Sequence, residues 1–146
     1  MNIYEASVVY RAVGTHPDRS PLECPEKIAA YIRDAFTPRP MQEQIWVVAL
    51  NRKFKPLGRF LAFVGTLSSC PGSVREILQF ALLSHAAAIV ISHNHPSGDP
   101  SPSSADIKFT RQLSEAAKLM GIEFLDHVII GDEIQYYSFR HAGLMP

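Results

Sequence analysis

The sequence predicts an α/β fold, and three observations carry that prediction. Short apolar runs of strand length alternate along the chain with segments whose apolar residues recur at spacings of three and four, so strands and helices take turns. One of the strand-like runs, residues 45–50, is continuously apolar, the pattern of a strand covered on both faces. Hydrophobic residues make up 47% of the 146 positions and charged residues 19%, a balance that supports a buried core and excludes a disordered chain.

Taken in order, residues 3–13 contain Val8, Val9, Tyr10 and Val13 and predict a first strand. His16, Pro17, Asp18, Ser20 and Pro21 read as a loop. Pro25 opens a helix through Ile28, Ala29, Ile32 and Phe36, and Pro38 and Pro40 end it. Residues 45–50 form a buried strand; after a turn over 51–56, residues 58–64 return as its hairpin partner. Gly72 and Ser73 precede a second helix over 74–85, with Ile77, Phe80, Ala81 and Leu83 on its apolar side. Residues 87–92 read as a short central strand. A Pro-rich loop then leads to a third helix over 103–120, stopped by Gly121 in the C′ position. Residues 122–130 predict another strand, Gly131 and Asp132 a turn, and residues 134–139 a last strand. No repeat, low-complexity tract or linker divides the chain, so a single domain over 1–146 is expected.

Bulk charge excludes some partners. Lys and Arg number 14, as do Asp and Glu, so no global basic field points to nucleic acid. The one local basic cluster, Arg52, Lys53, Lys55 and Arg59, falls at the hairpin turn and reads as a solvated loop. Cys24 and Cys70 belong to no C-x-x-C pair and give no disulfide framework. The first ten residues carry Glu5 and lack a basic flank before an apolar stretch, so no signal peptide is expected. The longest apolar run, residues 86–91, is far too short to span a bilayer. A cytoplasmic protein without a membrane partner is the expectation, and oligomeric state is not legible.

The segment from His93 to Asp106 carries the chemistry. It reads H-x-H, seven residues, then S-x-x-D, with His93, His95, Ser103 and Asp106 at the fixed positions. Side chains at i and i+2 of a strand share a face, so the two imidazoles emerge together at the strand's C-terminal end. In a helix, residues i and i+3 share a face, so Ser103 and Asp106 project together from a first turn. Pro96, Pro100 and Pro102 restrict the loop between them, lowering the entropy lost when the halves meet. Two imidazoles and a carboxylate are a ligand set that suits one zinc ion with a fourth position for water. Ser103 and Asp106 also read as a helix-capping pair. His127 reads as structural, or as a group supporting a ligand, while His16, His85 and His141 read as surface or loop residues. Hydrolysis needs a proton acceptor beside the metal. Glu43, just before the buried strand, is a candidate whose desolvation would raise its pKa, the alternative being a solvated strand-edge residue.

These residues resemble the JAMM motif of the MPN+ (JAB) metalloprotease-like family, and the RadC branch in particular. The likeness covers about residues 40–140 and includes Val64-Gly65-Thr66-Leu67, Val74-Arg75-Glu76-Ile77, Ser92 to Asp106, and Gly121-Ile122-Glu123-Phe124-Leu125-Asp126-His127-Val128-Ile129-Ile130-Gly131. The resemblance implies a mixed β-sheet flanked by helices, of the cytidine-deaminase-like kind, with one Zn2+. It implies His93, His95 and Asp106 as ligands, Glu43 as the general base, and Ser103 as hydrogen-bond donor to the oxyanion. The implied substrate is a peptide or isopeptide bond of a peptide or protein. Two departures stand out. Val74 replaces the family's usual Pro, and only about forty residues precede the motif region, where RadC proteins usually carry a helical module of DNA-binding appearance. A DNA-repair role, with nucleic acid as partner, thus rests on family association alone. Cys70, in the loop before the second helix, is a candidate redox brake on the open metal position.

Three other readings fit parts of this pattern. A zinc nucleobase deaminase needs a downstream P-C-x-x-C, which is absent. The contiguous His93-Asn94-His95 does not match an HNH nuclease, whose motif residues are spread over a ββα unit. A non-catalytic, metal-binding MPN-like module is the remaining alternative to a hydrolase.

Overall fold

The computed structural model describes residues 1–15, 20–65 and 73–145. A helix, α1 (Pro25–Ile32), tightens into a 3₁₀ turn at Arg33–Phe36. Then come β1 (Gln44–Leu50), β2 (Pro56–Val64), α2 (Ser73–Leu83), β3 (Ala88–Asn94), α3 (Ser104–Leu119), β4 (Glu123–Ile130) and β5 (Tyr136–Ser138). The strands form one sheet in the order β2-β1-β3-β4-β5. Only β3 and β4 are parallel; α3 connects them, as a parallel pair requires a crossover. The other three pairings are antiparallel. The sheet is mixed and helix-flanked, in agreement with the α/β reading.

Side chains alternate across the sheet, so each central strand feeds two cores. Val48, Leu50, Val90 and Val128 pack with Ile28, Ile32 and Phe36 beneath α1. Ile45, Val47, Ile89 and Ile91 pack on the other face with Ile77 and Ala81 of α2 and Phe109 and Leu113 of α3. That parity decides where the motif points. His93 continues the row of Ile89 and Ile91, so it faces the α2–α3 side, while Asn94 continues the row of Val90 towards α1.

Local signals fix the ends of α3. Ser103 caps it, accepting from the Asp106 N–H at 3.1 Å, while the Asp106 carboxylate accepts from the Ser103 N–H at 2.8 Å. At the other end Gly121 has φ +71°, and the Gly121 and Ile122 N–H groups donate to the Lys118 and Ala117 carbonyls. This double bond needs a left-handed residue, which glycine adopts without steric cost.

Two expectations are corrected. Residues 3–13 form no strand: the segment has no regular structure, and Ile3, Tyr4, Val9 and Val13 are exposed. Strand propensity does not supply a partner, and an unpaired strand leaves its backbone groups without a ladder. Arg59 is not part of a solvated loop. It lies in β2, makes two 2.9 Å hydrogen bonds to Asp34, and sets its guanidinium 5.6 Å from the Tyr31 ring and 5.7 Å from the Trp46 ring. Arg52, Lys53 and Lys55 are exposed. Among the described residues no helix is long and apolar enough to cross a membrane.

Candidate metal centre

The C-terminal end of β3, the start of β1 and the first turn of α3 meet on the α2–α3 side of the sheet. The register does this. Ile45 of β1 pairs antiparallel with His93 of β3, which places Glu43, two residues earlier, beside the end of β3. Glu43, His93, His95 and Asp106 each offer one ligand atom, and the four atoms lie within 4.8 Å of one another. His93 Nε2 is 2.9 Å from His95 Nε2, 3.4 Å from Asp106 Oδ1 and 3.8 Å from Glu43 Oε1. His95 Nε2 is 3.3 Å from Asp106 Oδ2. His93 and Asp106 are buried, whereas the Glu43 and His95 side chains keep 20% and 16% exposure, so those two line the route to solvent.

The side chains of His93, His95 and Asp106 are each held by a group outside the four, and Glu43 through its chain neighbours. The loop carbonyl of Asp99 accepts from His95 Nδ1 at 2.8 Å. A carbonyl only accepts, so the bare nitrogen of a neutral His95 is Nε2, aimed at the centre. The loop itself is pinned to the β4–β5 turn. Gly98 has φ +90°, and a Cβ there would lie 2.0 Å from Asp132 Oδ2; the Asp132 N–H donates to the Gly98 carbonyl at 3.0 Å. Glu43 is steadied through its neighbours. Asn94 Oδ1 accepts from the Gln44 N–H at 2.8 Å, and Asn94 Nδ2 donates to the Gln42 carbonyl at 2.9 Å, so one buried amide clasps the chain on both sides of Glu43. His93 Nδ1 lies 2.7 Å from His127 Nε2.

The electrostatics suit a cation. Burial raises the Glu43 carboxyl above its ordinary range, with His93 and His95 pulling the other way. Burial would also raise Asp106, but its hydrogen bonds with His93 and His95 prevail and hold it well below the usual carboxylate range. The Asp106 hydrogen bond raises His95. The carboxylates that favour a proton on an imidazole here favour a metal ion for the same electrostatic reason. Two imidazole nitrogens face each other at 2.9 Å with carboxylate oxygens around them, and a shared cation resolves that contact. Nitrogen and carboxylate oxygen donors in this number fit zinc chemistry.

Ser103 is placed differently from the four ligand-bearing residues. It is the exposed N-cap of α3, its oxygen accepting the Asp106 N–H, so the capping reading describes its structure and its hydroxyl hydrogen is left to donate elsewhere. His85 and His141 are exposed. His16 and Cys70 lie outside the described residues. Sequence reasoning missed Asn94, whose position between two histidines in a strand already signals a side chain on the opposite face.

The family model of the RadC-like JAB domain matches residues 22–144. A UPF0758 protein of Geobacillus thermodenitrificans (strain NG80-2) is 38% identical over 126 residues, which cover 86% of this chain and 55% of the relative. A UPF0758 protein of Halalkalibacterium halodurans is 38% identical over 129 residues, 88% of this chain and 55% of the relative. One of Clostridium acetobutylicum is 44% identical over 104 residues, 71% of this chain and 45% of the relative. The chain spans about half the length of the curated relatives it matches.

Proposed function

This chain belongs to the RadC-like JAB domain family, and from that premise we propose that it is a zinc-dependent hydrolase of peptide or isopeptide bonds. The observation that carries the reading is the convergence of Glu43, His93, His95 and Asp106 on one point that is partly open to solvent. His93, His95 and Asp106 would hold the ion. When bound, Zn2+ supplies a Lewis acid that polarises water and a substrate carbonyl.

The chain's own groups supply the rest. Glu43, whose carboxyl burial raises, is matched to taking a proton from water and handing it to the departing amine nitrogen. The amide C–N bond breaks, the water oxygen joins the carbonyl carbon, and both protons of water end on the departing nitrogen, leaving a carboxylate and an ammonium. Ser103 keeps its hydroxyl hydrogen for the carbonyl oxygen because its own oxygen is the acceptor in the cap. A binding module needs ligands but no partly exposed, pKa-raised carboxylate beside them. Glu43 therefore favours the hydrolase over the non-catalytic alternative.

The test separates binding from turnover. Asp106→Ala abolishes stoichiometric Zn2+ uptake, read by elemental analysis. Glu43→Gln keeps the ion and lowers hydrolysis of a fluorogenic peptide or isopeptide library by about 10²–10⁴-fold. Persistent turnover in Glu43→Gln would remove the assigned role of Glu43, and a wild-type protein that takes up no Zn2+ would remove the reading altogether.

A further inference from the structure

His93 is backed by a chain of three short contacts that the proposed hydrolysis does not use. Its Nδ1 lies 2.7 Å from His127 Nε2. His127 Nδ1 lies 2.7 Å from Thr110 Oγ1, and Thr110 Oγ1 donates to the Asp106 backbone carbonyl at 2.8 Å. All three side chains are fully buried, so water cannot substitute for any partner. The His127 ring is stacked on Phe139 at 4.4 Å between centroids and 5° between planes, which fixes the plane of its nitrogens. The contacts link β3, β4 and α3, the elements that also carry His93 and Asp106.

Proton counting gives the chain a direction. Thr110 has one hydroxyl hydrogen, and the Asp106 carbonyl can only accept it. The Thr110 oxygen is then an acceptor, and His127 Nδ1 must carry the hydrogen between them. An uncharged His127 has its lone pair on Nε2, which accepts from His93 Nδ1. The remaining lone pair of His93 is on Nε2, the atom that faces His95, Asp106 and Glu43. We propose that Thr110 and His127 form a proton-ordered relay that presents the bare Nε2 of His93 to a divalent cation, making both of them positioning residues of the metal centre. The inference rests on the metal-centre reading for its purpose, but the order of the protons stands on the hydrogen bonds alone. It also ties the two ends of the site together: the relay begins on the backbone of one ligand, Asp106, and ends on the ring of another, His93. Partners that orient a ligating histidine affect metal affinity by about 10–100-fold.

The test reads tautomers and affinity separately. Long-range ¹H–¹⁵N imidazole spectra of the metal-free full chain at pH 8 show His127 protonated on Nδ1 and unprotonated on Nε2; the reverse assignment overturns the relay. Zn2+ titration against a competing chelator shows binding weakened about 10–100-fold in His127→Leu and Thr110→Val. His127→Gln, which restores an acceptor for His93 Nδ1, and Thr110→Ser, which restores the hydroxyl, recover most of that loss. Equal weakening in the conservative and non-conservative pairs assigns these residues to packing and overturns the inference. A wild-type chain that takes up no Zn2+ defeats the proposed function and the relay's purpose, while the tautomer spectrum still decides the proton order.

Discussion

Replacing Asn94 by Ala is the perturbation whose consequences follow most directly from the structure. Its side-chain amide makes two hydrogen bonds, one to the Gln44 N–H and one to the Gln42 carbonyl. The two are unequal in energy. Gln44 is 2% exposed, so its N–H loses its acceptor in a place water does not reach, at a cost of about 1–3 kcal/mol. Gln42 is exposed, and water takes over its carbonyl at little cost. The net loss is about 2 kcal/mol, which at about 4 °C per kcal/mol for a domain of this size lowers Tm by about 8 °C. Function is affected differently from stability. Glu43 sits between the two clasped residues, and if it is the base of the proposed function, misplacing it by an ångström costs up to about 10²-fold in rate. His93, His95 and Asp106 are held by other partners, so Zn2+ affinity stays close to that of the wild type. Differential scanning calorimetry, Zn2+ titration and peptide hydrolysis measure the three effects. An unchanged Tm, or a loss of Zn2+ affinity as large as that of Asp106→Ala, would refute the assignment of Asn94 to the Glu43 backbone.

Two further outcomes are expected. Gly98→Ala forces a side chain into φ +90° and against Asp132, costing about 1–3 kcal/mol in a urea melt; a stability equal to wild type would show that the loop is not pinned there. Asp126 is buried and accepts from the His127 and Arg140 N–H groups and the Ser138 hydroxyl, yet burial prevails and raises its carboxyl above the ordinary value. A carboxyl raised on folding stabilises the protein fully below its unfolded pKa and loses that contribution as pH climbs through the folded value. Wild type should therefore gain stability over Asp126→Asn as pH falls from 7 towards 4, and a gap that does not change with pH contradicts the burial argument.

How much could be read beforehand depends on the range of each interaction. The pair His93 and His95 and the pair Ser103 and Asp106 are local, and strand and helix periods place them without knowledge of the fold. The stop of α3 at Gly121 is local as well, since one left-handed residue satisfies the last carbonyls. Glu43 is different. Its place beside His93 depends on the antiparallel register that sets Ile45 opposite His93, and no short-range pattern encodes a register between strands so far apart in sequence. The role of Arg59 is hidden for the same reason: its partner Asp34 is 25 residues away, beyond a helix end. Residues 3–13 show the converse error, in which β-forming residues were present but an edge to pair with was not.

The site's support follows a division of labour that the sequence only hints at. A carbonyl of the Pro-rich loop orients His95, the cap of α3 orients Asp106, and the amide of Asn94 steadies Glu43 through the backbone. The contact with His127 backs His93 from within the core. Each of the four has at least one orienting contact from outside the cluster, so the fold itself brings the donor atoms together. Two carboxylates and two facing imidazole nitrogens in a partly desolvated place include like-charge and lone-pair repulsions, and a chain adopts that arrangement only where surrounding contacts enforce it. The enforcing contacts here come from β1, β3, β4 and α3 and the loop between β3 and α3. Under the proposed function, substitutions at these supporting positions should therefore separate stability, metal affinity and turnover, where substitution of a proposed ligand should remove metal binding and turnover together.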